Sequence, residues 1–280
     1  MTAATTVTPV TKRASAWDRF WAVALRIPGI KTWGPFLVVL VIWAAIAASG
    51  VVPKAFFTDP ATVWGDFVSL IERGILPAYL ADSMERLLVG SAVGLVVGIV
   101  LGFLVGLNRY VRKFLWPLLL FFQAIGDIAW LPILVIWFGF SITSVTIVIV
   151  YTVMFPLIIS IVSAIDGMPQ NLMRAAGSLG AKRWQRILYV ILPGTLPGVS
   201  SGIRTGLGYG LRALIAAEMI IGTSGIGFMM FDARGQGDVA KVFVGMIVLG
   251  VLWYLVDALI LAPFERETVE RWGMVEGVGR

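Results

Sequence analysis

Six apolar runs dominate this chain, at roughly residues 33–50, 84–107, 115–139, 143–165, 198–221 and 241–263. Each is long enough to approach or cross a hydrocarbon core about 30 Å thick. A segment immersed in lipid has to satisfy its own backbone hydrogen bonds, so runs of this length predict helices. With 59% hydrophobic and only 14% charged residues, and a mean hydropathy of +0.91, the chain has too little polar surface to coat a water-soluble globule of 280 residues. The expected class is an all-α membrane protein with six transmembrane helices.

Charge sets the orientation. Lys12, Arg13, Arg19, Arg26 and Lys31 precede the first run; Arg109, Arg112 and Lys113 separate the second and third; Arg174, Lys182, Arg183 and Arg186 separate the fourth and fifth; Arg266, Arg271 and Arg280 follow the last. Only Lys54, Arg73, Arg234 and Lys241 fall on the opposite side, which by the positive-inside rule makes both termini cytoplasmic. Arg86, Arg204 and Arg212 lie within runs or near their ends. The net charge of +6 is explained by this topology, and the interleaved basic and aromatic surface of a nucleic-acid binder is missing. The chain has no histidine or cysteine, which excludes disulfides, imidazole or thiolate metal sites, and Ser-His or Cys-His catalysis.

The runs divide the chain into an N-terminal tail over 1–32, a membrane domain over 33–263 and a cytoplasmic tail over 264–280. Within the first tail, 17–30 alternates bulky apolar residues with Asp18, Arg19 and Arg26, as an amphipathic helix on the inner leaflet would; 1–16 reads as disordered. Ala47-Ala48-Ser49 offers a leader cleavage pattern, but so long and polar a leader argues against one.

Gly90, Gly94, Gly98, Gly102 and Gly106 repeat every fourth residue through the second run, and Gly194, Gly198, Gly202, Gly206 and Gly210 do so into the fifth. In water each would cost a helix about 0.8–1.0 kcal/mol relative to alanine. In lipid such stripes let backbones approach and associate by van der Waals packing, so both are expected to face other helices, possible partners including each other. Pro132 and Pro156 predict kinks or local unwinding in the third and fourth runs.

A compact charged segment interrupts the apolar pattern between the fourth and fifth runs. It reads Arg174-Ala175-Ala176, three residues including Gly177, then Gly180, nine residues, then Val190-Ile191-Leu192-Pro193. Small residues admit another protein's surface, Gly180 can end a short helix, and Lys182, Arg183 and Arg186 place positive charge beside that turn. The spacing resembles the cytoplasmic loop of permease subunits of binding-protein-dependent ABC importers, with Arg174 in place of glutamate and Val190 in place of isoleucine. From about 82 to 272 the chain is similar to the nitrate, sulfonate and taurine type of these permeases, through Ser83-Met84-Glu85-Arg86, Ala129-Trp130-Leu131-Pro132, Ile136-Trp137-Phe138-Gly139, Leu192-Pro193-Gly194-Thr195-Leu196-Pro197 and Gly225-Ile226-Gly227-Phe228.

That resemblance implies a type I ABC importer permease fold in the bacterial inner membrane, a cytoplasmic ABC ATPase dimer, an extracytoplasmic solute-binding protein and a second permease copy, preferably identical. It implies no cofactor on this chain, with ATP and Mg on the partner; no stretch matches G-x-x-x-x-G-K-[ST]. Residues 168–193 would then couple ATP-driven closure to alternating access. The loops at about 51–81 and 222–238 would meet the binding protein, with Ile226, Phe228, Met229 and Met230 dipping into the membrane edge.

Where relatives carry Arg-Pro-x-Pro-Pro, this chain has Gln123-Ala124-Ile125-Gly126-Asp127, which puts a carboxylate in the third run. An Asp or Arg at a helix centre costs about 2.5–3.5 kcal/mol on insertion scales, so Asp127, Arg212 and Glu218 are expected to face a polar cavity or one another. Gln123, Asp127, Trp130, Arg212 and Glu218 are the expected cavity residues, with structural ion pairing as the competing role. Asp257 fits a structural hydrogen bond near the inner interface. The resemblance implies a small anion of the sulfonate, taurine, nitrate, bicarbonate or carboxylate class as cargo, and leaves pyrimidine, flavin-like and other organic solutes open, since relatives of this type carry them too. Two other functions stay open: a self-sufficient transporter using Asp127 and Glu218 to bind coupling ions, and a scaffold that anchors cytoplasmic proteins.

Overall fold

The computed structural model describes residues 30–53 and 56–265, which form helices and turns with no strand among them. The expected amphipathic helix over 17–30, the disordered 1–16 and the tail beyond 265 lie outside the described residues. The chain divides into two units, Met1–Thr62 and Val63–Arg280.

In the first unit, α1 (Ile30–Ser49) accounts for the first apolar run and exposes its side chains from Phe36 to Ile42. Its Trp43 Nε1 donates to the Thr58 carbonyl at 3.0 Å. Asp59 then starts α2 (Pro60–Glu72), its carboxylate accepting from the Thr62 backbone N–H at 3.0 Å and the Thr62 hydroxyl at 2.8 Å. The predicted external loop at 51–81 therefore contains a helix.

The second unit continues with α3 (Ile75–Leu107), α4 (Arg109–Ala124), a 3-10 turn (Asp127–Trp130), α5 (Leu131–Phe138) and α6 (Ile142–Asp166). There follow α7 (Gln170–Ser178), α8 (Arg183–Arg186), α9 (Leu192–Ile221), α10 (Ile226–Gln236), α11 (Val239–Val256) and α12 (Ala262–Glu265). By length and composition α3, α6 and the segment Val239–Leu261 can each cross a membrane alone. Two further candidates are bent pairs: Arg109–Ala124 with Asp127–Phe138, at 87°, and Arg183–Ile221 with Ile226–Gln236, at 48°. The third run is thus not one kinked helix but two helices meeting nearly at right angles. Pro132 sits in the first turn of the second of these, where its missing N–H costs nothing. Helix α6, by contrast, runs through Pro156 without interruption.

α6 is the centre of the unit, with Val145, Val148, Ile149, Val153, Leu157, Ile158, Ile161 and Val162 all buried. The two glycine ladders close on it from different sides. On α3, a methyl group added at Gly90, Gly94, Gly98 or Gly102 would stand 2.8–3.0 Å from Ile149, Val150 or Val153, Leu157 and Ile161. On α9, one added at Gly202, Gly206 or Gly210 would stand 2.7–2.8 Å from Ser160, Val153 and Val153 again. The ladders therefore face protein. They pack on α6 rather than on each other, and Val153 and Leu157 touch both.

Two π turns, Ile187–Ile191 and Asp257–Leu261, have a common local cause. Each ends two residues before a proline, Pro193 and Pro263, which has no N–H for the carbonyl four residues back. The preceding residue bonds five back instead, Leu192 N–H to the Ile187 carbonyl and Ala262 N–H to that of Asp257.

At Gly206 the atom in the way is a backbone carbonyl, Val153 O at 2.8 Å, whereas Gly250 on α11 has nothing within 4 Å. Gly206→Ala is expected to destabilise the bundle by about 1–3 kcal/mol through overpacking, and Gly250→Ala to be neutral. Thermal unfolding of the detergent-solubilised chain measures both; equal melting temperatures for the two variants would contradict the packing described.

Candidate functional site

The break between α4 and α5 builds a cavity of about 400 Å³. It is lined by Gln123, Ile125, Gly126, Asp127, Ile128, Tyr151, Thr152, Phe155, Pro156, Tyr209, Arg212 and Ala213. A helix that stops inside a membrane leaves carbonyls without partners. Here the Tyr151 hydroxyl, reaching across from α6, lies on the carbonyls of Phe122 and, at 3.1 Å, Ile125. Its ring packs against those of Trp130 and Phe155, with centroids 5.8 and 4.7 Å away.

Asp127 begins the 3-10 turn and its Oδ1 accepts from the Ile128 N–H at 3.0 Å. Its Oδ2 lies 3.0 Å from the Thr152 hydroxyl, whose one proton is also 2.8 Å from the Val148 carbonyl. Arg212, on α9, holds its guanidinium 5.4 Å from the centroid of the Tyr209 ring. Gln123, Asp127 and Arg212 thus line one cavity. Trp130 is not in the lining and instead stacks between Phe122 and Tyr151.

Glu218 departs from the cavity expectation. It is 1% exposed and lies in a buried polar knot with Arg86, 4% exposed, at 2.7 Å. Ser83 Oγ is 2.9 Å from both carboxylate oxygens and accepts from the Ile226 N–H at 2.9 Å, while the Gly227 N–H donates to Glu218 Oε2 at 3.0 Å. Arg86 also donates to the Ser224 carbonyl at 2.7 Å and hydroxyl at 2.6 Å. Gly225, at φ +107°, lets the chain fold over the carboxylate, in a conformation L side chains rarely adopt. The knot ties the turn between α9 and α10 onto α3. The stretch expected as a Gly-rich loop is a helix from Ile226 onward, with Ile226, Met229 and Met230 buried. Arg204, like Arg86, finds a carboxylate: its Nη2 lies 2.7 Å from Asp257 Oδ2.

The charged segment forms an exposed elbow. α7 has no buried residue, and it ends where the Ala181 N–H bonds the Ala176 carbonyl and the Gly180 N–H bonds that of Gly177, both at 3.0 Å, with Gly180 at φ +76°. This pair of bonds is a Schellman cap, and it needs a left-handed residue where Gly180 stands. Arg174 holds Gln170 at 3.2 Å, and the Lys182 N–H is held by Gln185 at 2.7 Å. Ala175, Arg183 and Lys182 are exposed, Ala176 and Arg186 half-buried. Leu172, Leu179 and Trp184 are exposed around the turn, Leu179 by 88%.

Residues 94–262 of this helical chain match the family of binding-protein-dependent transport system inner membrane components, to which the chain belongs and which makes it a membrane transport subunit. It is 31% identical over 240 residues to the putative aliphatic sulfonates transport permease protein SsuC of Bacillus subtilis, covering 86% of this chain and 84% of the relative. With the taurine transport system permease protein TauC of Escherichia coli it shares 32% over 240 residues, 84% and 87% of the two chains. The riboflavin transport system permease protein RibX of Chloroflexus aurantiacus is 30% identical over 266 residues, 95% and 97%. A chain from the inward-facing MetNI methionine ABC transporter superposes with a TM-score of 0.61 at 17% identity, over 71% of this chain and 98% of that one, which shows the shared fold. The chain is accordingly a multi-pass inner-membrane permease of the ABC importer type.

Removing one member of the buried pair leaves the other charged and unpartnered, a loss of about 3–5 kcal/mol. Glu218→Ala and Arg86→Ala are each expected to reduce the yield of folded permease sharply, and the double change Arg86→Met with Glu218→Met to recover part of it. Size-exclusion profiles and thermal unfolding read the effect; singles as stable as the parent would show that the knot does not hold the turn.

Proposed function

We propose that this chain is the non-catalytic translocation subunit of an ATP-driven importer, and that it carries a small organic or inorganic solute with an anionic group, delivered by an external solute-binding protein. The single observation that best supports this is the elbow at 168–193. A short helix with no buried residue, capped by Gly180, carries Arg174, Ala175, Ala176 and Gly177, followed by Lys182, Arg183 and Arg186, with Leu172, Leu179 and Trp184 left uncovered. Apolar side chains ringed by positive charge on a rigid turn suit a protein groove on the cytoplasmic side.

In this reading six spans cross the membrane, counting α1 and the two bent pairs, and both termini are cytoplasmic. Two copies form the passage, and a cytoplasmic ATPase dimer holds ATP and Mg. Closure of that dimer draws the elbow inward, and the helices joined to it turn the cavity outward; hydrolysis resets it. The names of the relatives, which speak of sulfonates, taurine, riboflavin, bicarbonate and nitrate, do not choose between an organic and an inorganic solute. The gradient-driven alternative needs Asp127 and Glu218 as coupling sites, and Glu218 is already committed to Arg86.

The test is reconstitution in liposomes. Uptake is expected only when ATP, the ATPase and the binding protein are all present; flux by this chain alone under an ion gradient would sink the proposal. Gly180→Val forces a β-branched residue into the left-handed region, at about 1–2 kcal/mol, and is expected to weaken ATPase association and solute-stimulated hydrolysis. Gly180→Asn, which tolerates that backbone, should retain most of both. Parental values for the valine variant would remove the elbow from the mechanism.

A further inference from the structure

The cavity at the α4–α5 break contains one charge of each sign, and neither forms an ion pair among the described residues. Arg212 makes no hydrogen bond or ion pair among the described residues; its only contact of note is the Tyr209 ring, 5.4 Å from the guanidinium carbon. A cation–π contact of this kind consumes none of the guanidinium N–H donors, which stay available to a planar or tetrahedral oxyanion. Asp127 has no ion pair either. One of its oxygens is engaged by the adjacent Ile128 N–H and the other only by a Thr152 proton shared with the Val148 carbonyl, so acceptor capacity is left over. The wall of the same cavity includes Tyr151, Phe155 and Pro156, surfaces suited to an apolar or flat body.

A plain anion entering this space gains Arg212 but meets the uncompensated charge of Asp127, and a plain cation meets the reverse. A molecule carrying both charges satisfies both side chains, and the empty cavity stays neutral overall. Discrimination by the repelled end is as effective as discrimination by the attracted one. We infer that the solute this permease passes is an organic zwitterion, whose oxyanion faces Arg212 and whose ammonium or equivalent N–H cation faces Asp127, across a body that lies on the aromatic wall. The inference rests on the importer reading and narrows it. It sets this chain apart from a carrier of simple inorganic anions.

The test uses the full-length chain in lipid nanodiscs and three ring probes of similar size: para-aminomethylbenzoate, which carries both ends, benzoate and benzylamine, which carry one each. Saturation-transfer NMR titrations rank their affinities. The double-ended probe is expected to bind about tenfold more tightly than either single-ended one, the contribution of one charged hydrogen bond. Asp127→Asn should abolish its advantage over benzoate, both by removing the partner of the ammonium and by tightening benzoate binding as the repulsion is lifted, and Asp127→Glu should restore it. Arg212→Gln should abolish its advantage over benzylamine. Benzoate or benzylamine binding as tightly as the double-ended probe, a ranking unchanged in both variants, or no binding of any probe would each overturn the inference. The ranking on the unaltered chain decides the matter even if a variant fails to fold. ATP-driven uptake is a separate readout, so loss of the importer reading and loss of the zwitterion would be told apart.

Discussion

Close approach of backbones to α6 is the constraint on which the second unit depends. Lipid supplies no hydrophobic drive between helices, so α3 and α9 hold to α6 through dispersion over surfaces that fit at short range. Val153 and Leu157 touch glycines of both neighbours, which leaves no slack in the sandwich: a group added on one side presses on residues that already bear on the other. The same tightness makes the unit a rigid frame. Against it the broken α4–α5 pair and the bent α9–α10 pair are the elements that depart from straight spans.

Each departure exposes polar groups that lipid cannot satisfy, and each is answered by a side chain from the frame. At the α4 end the answer is the Tyr151 hydroxyl on two carbonyls; at the α9–α10 turn it is Glu218 and Ser83 on the N–H groups of Gly227 and Ile226. The two breaks differ in what is left over. The turn after α9 uses up its charges, since Arg86 and Glu218 satisfy each other. The break after α4 does not, which is why the cavity rather than the knot has the chemistry to meet a solute.

Much of this was legible in the residues. Four-residue glycine spacing pointed to two packed ridges, and Gly180 at the end of a short run of small residues pointed to the helix stop that the Schellman cap provides. Which helix the ridges met was not legible, because α6 carries ordinary branched residues whose pattern has no period that singles out a doubly covered helix. Three arginines within apolar runs, Arg86, Arg204 and Arg212, looked alike in sequence. Only the fold separates them: the first pairs with Glu218, the second with Asp257, and the third stands in the cavity. The right-angle break after Ala124 was hidden for a similar reason, since Ile125-Gly126 interrupts a run whose hydropathy continues on either side.

The Arg86–Glu218 knot joins residues 132 positions apart in the chain. During synthesis α3 enters the bilayer long before α9 has been made, so Arg86 has to wait at the membrane without its counter-charge while five further helices, α4 to α8, emerge. The first half of the bundle therefore cannot lock until the last third has been threaded, and a chain cut short before Glu218 would leave an arginine stranded in lipid, a ready mark of an unfinished product.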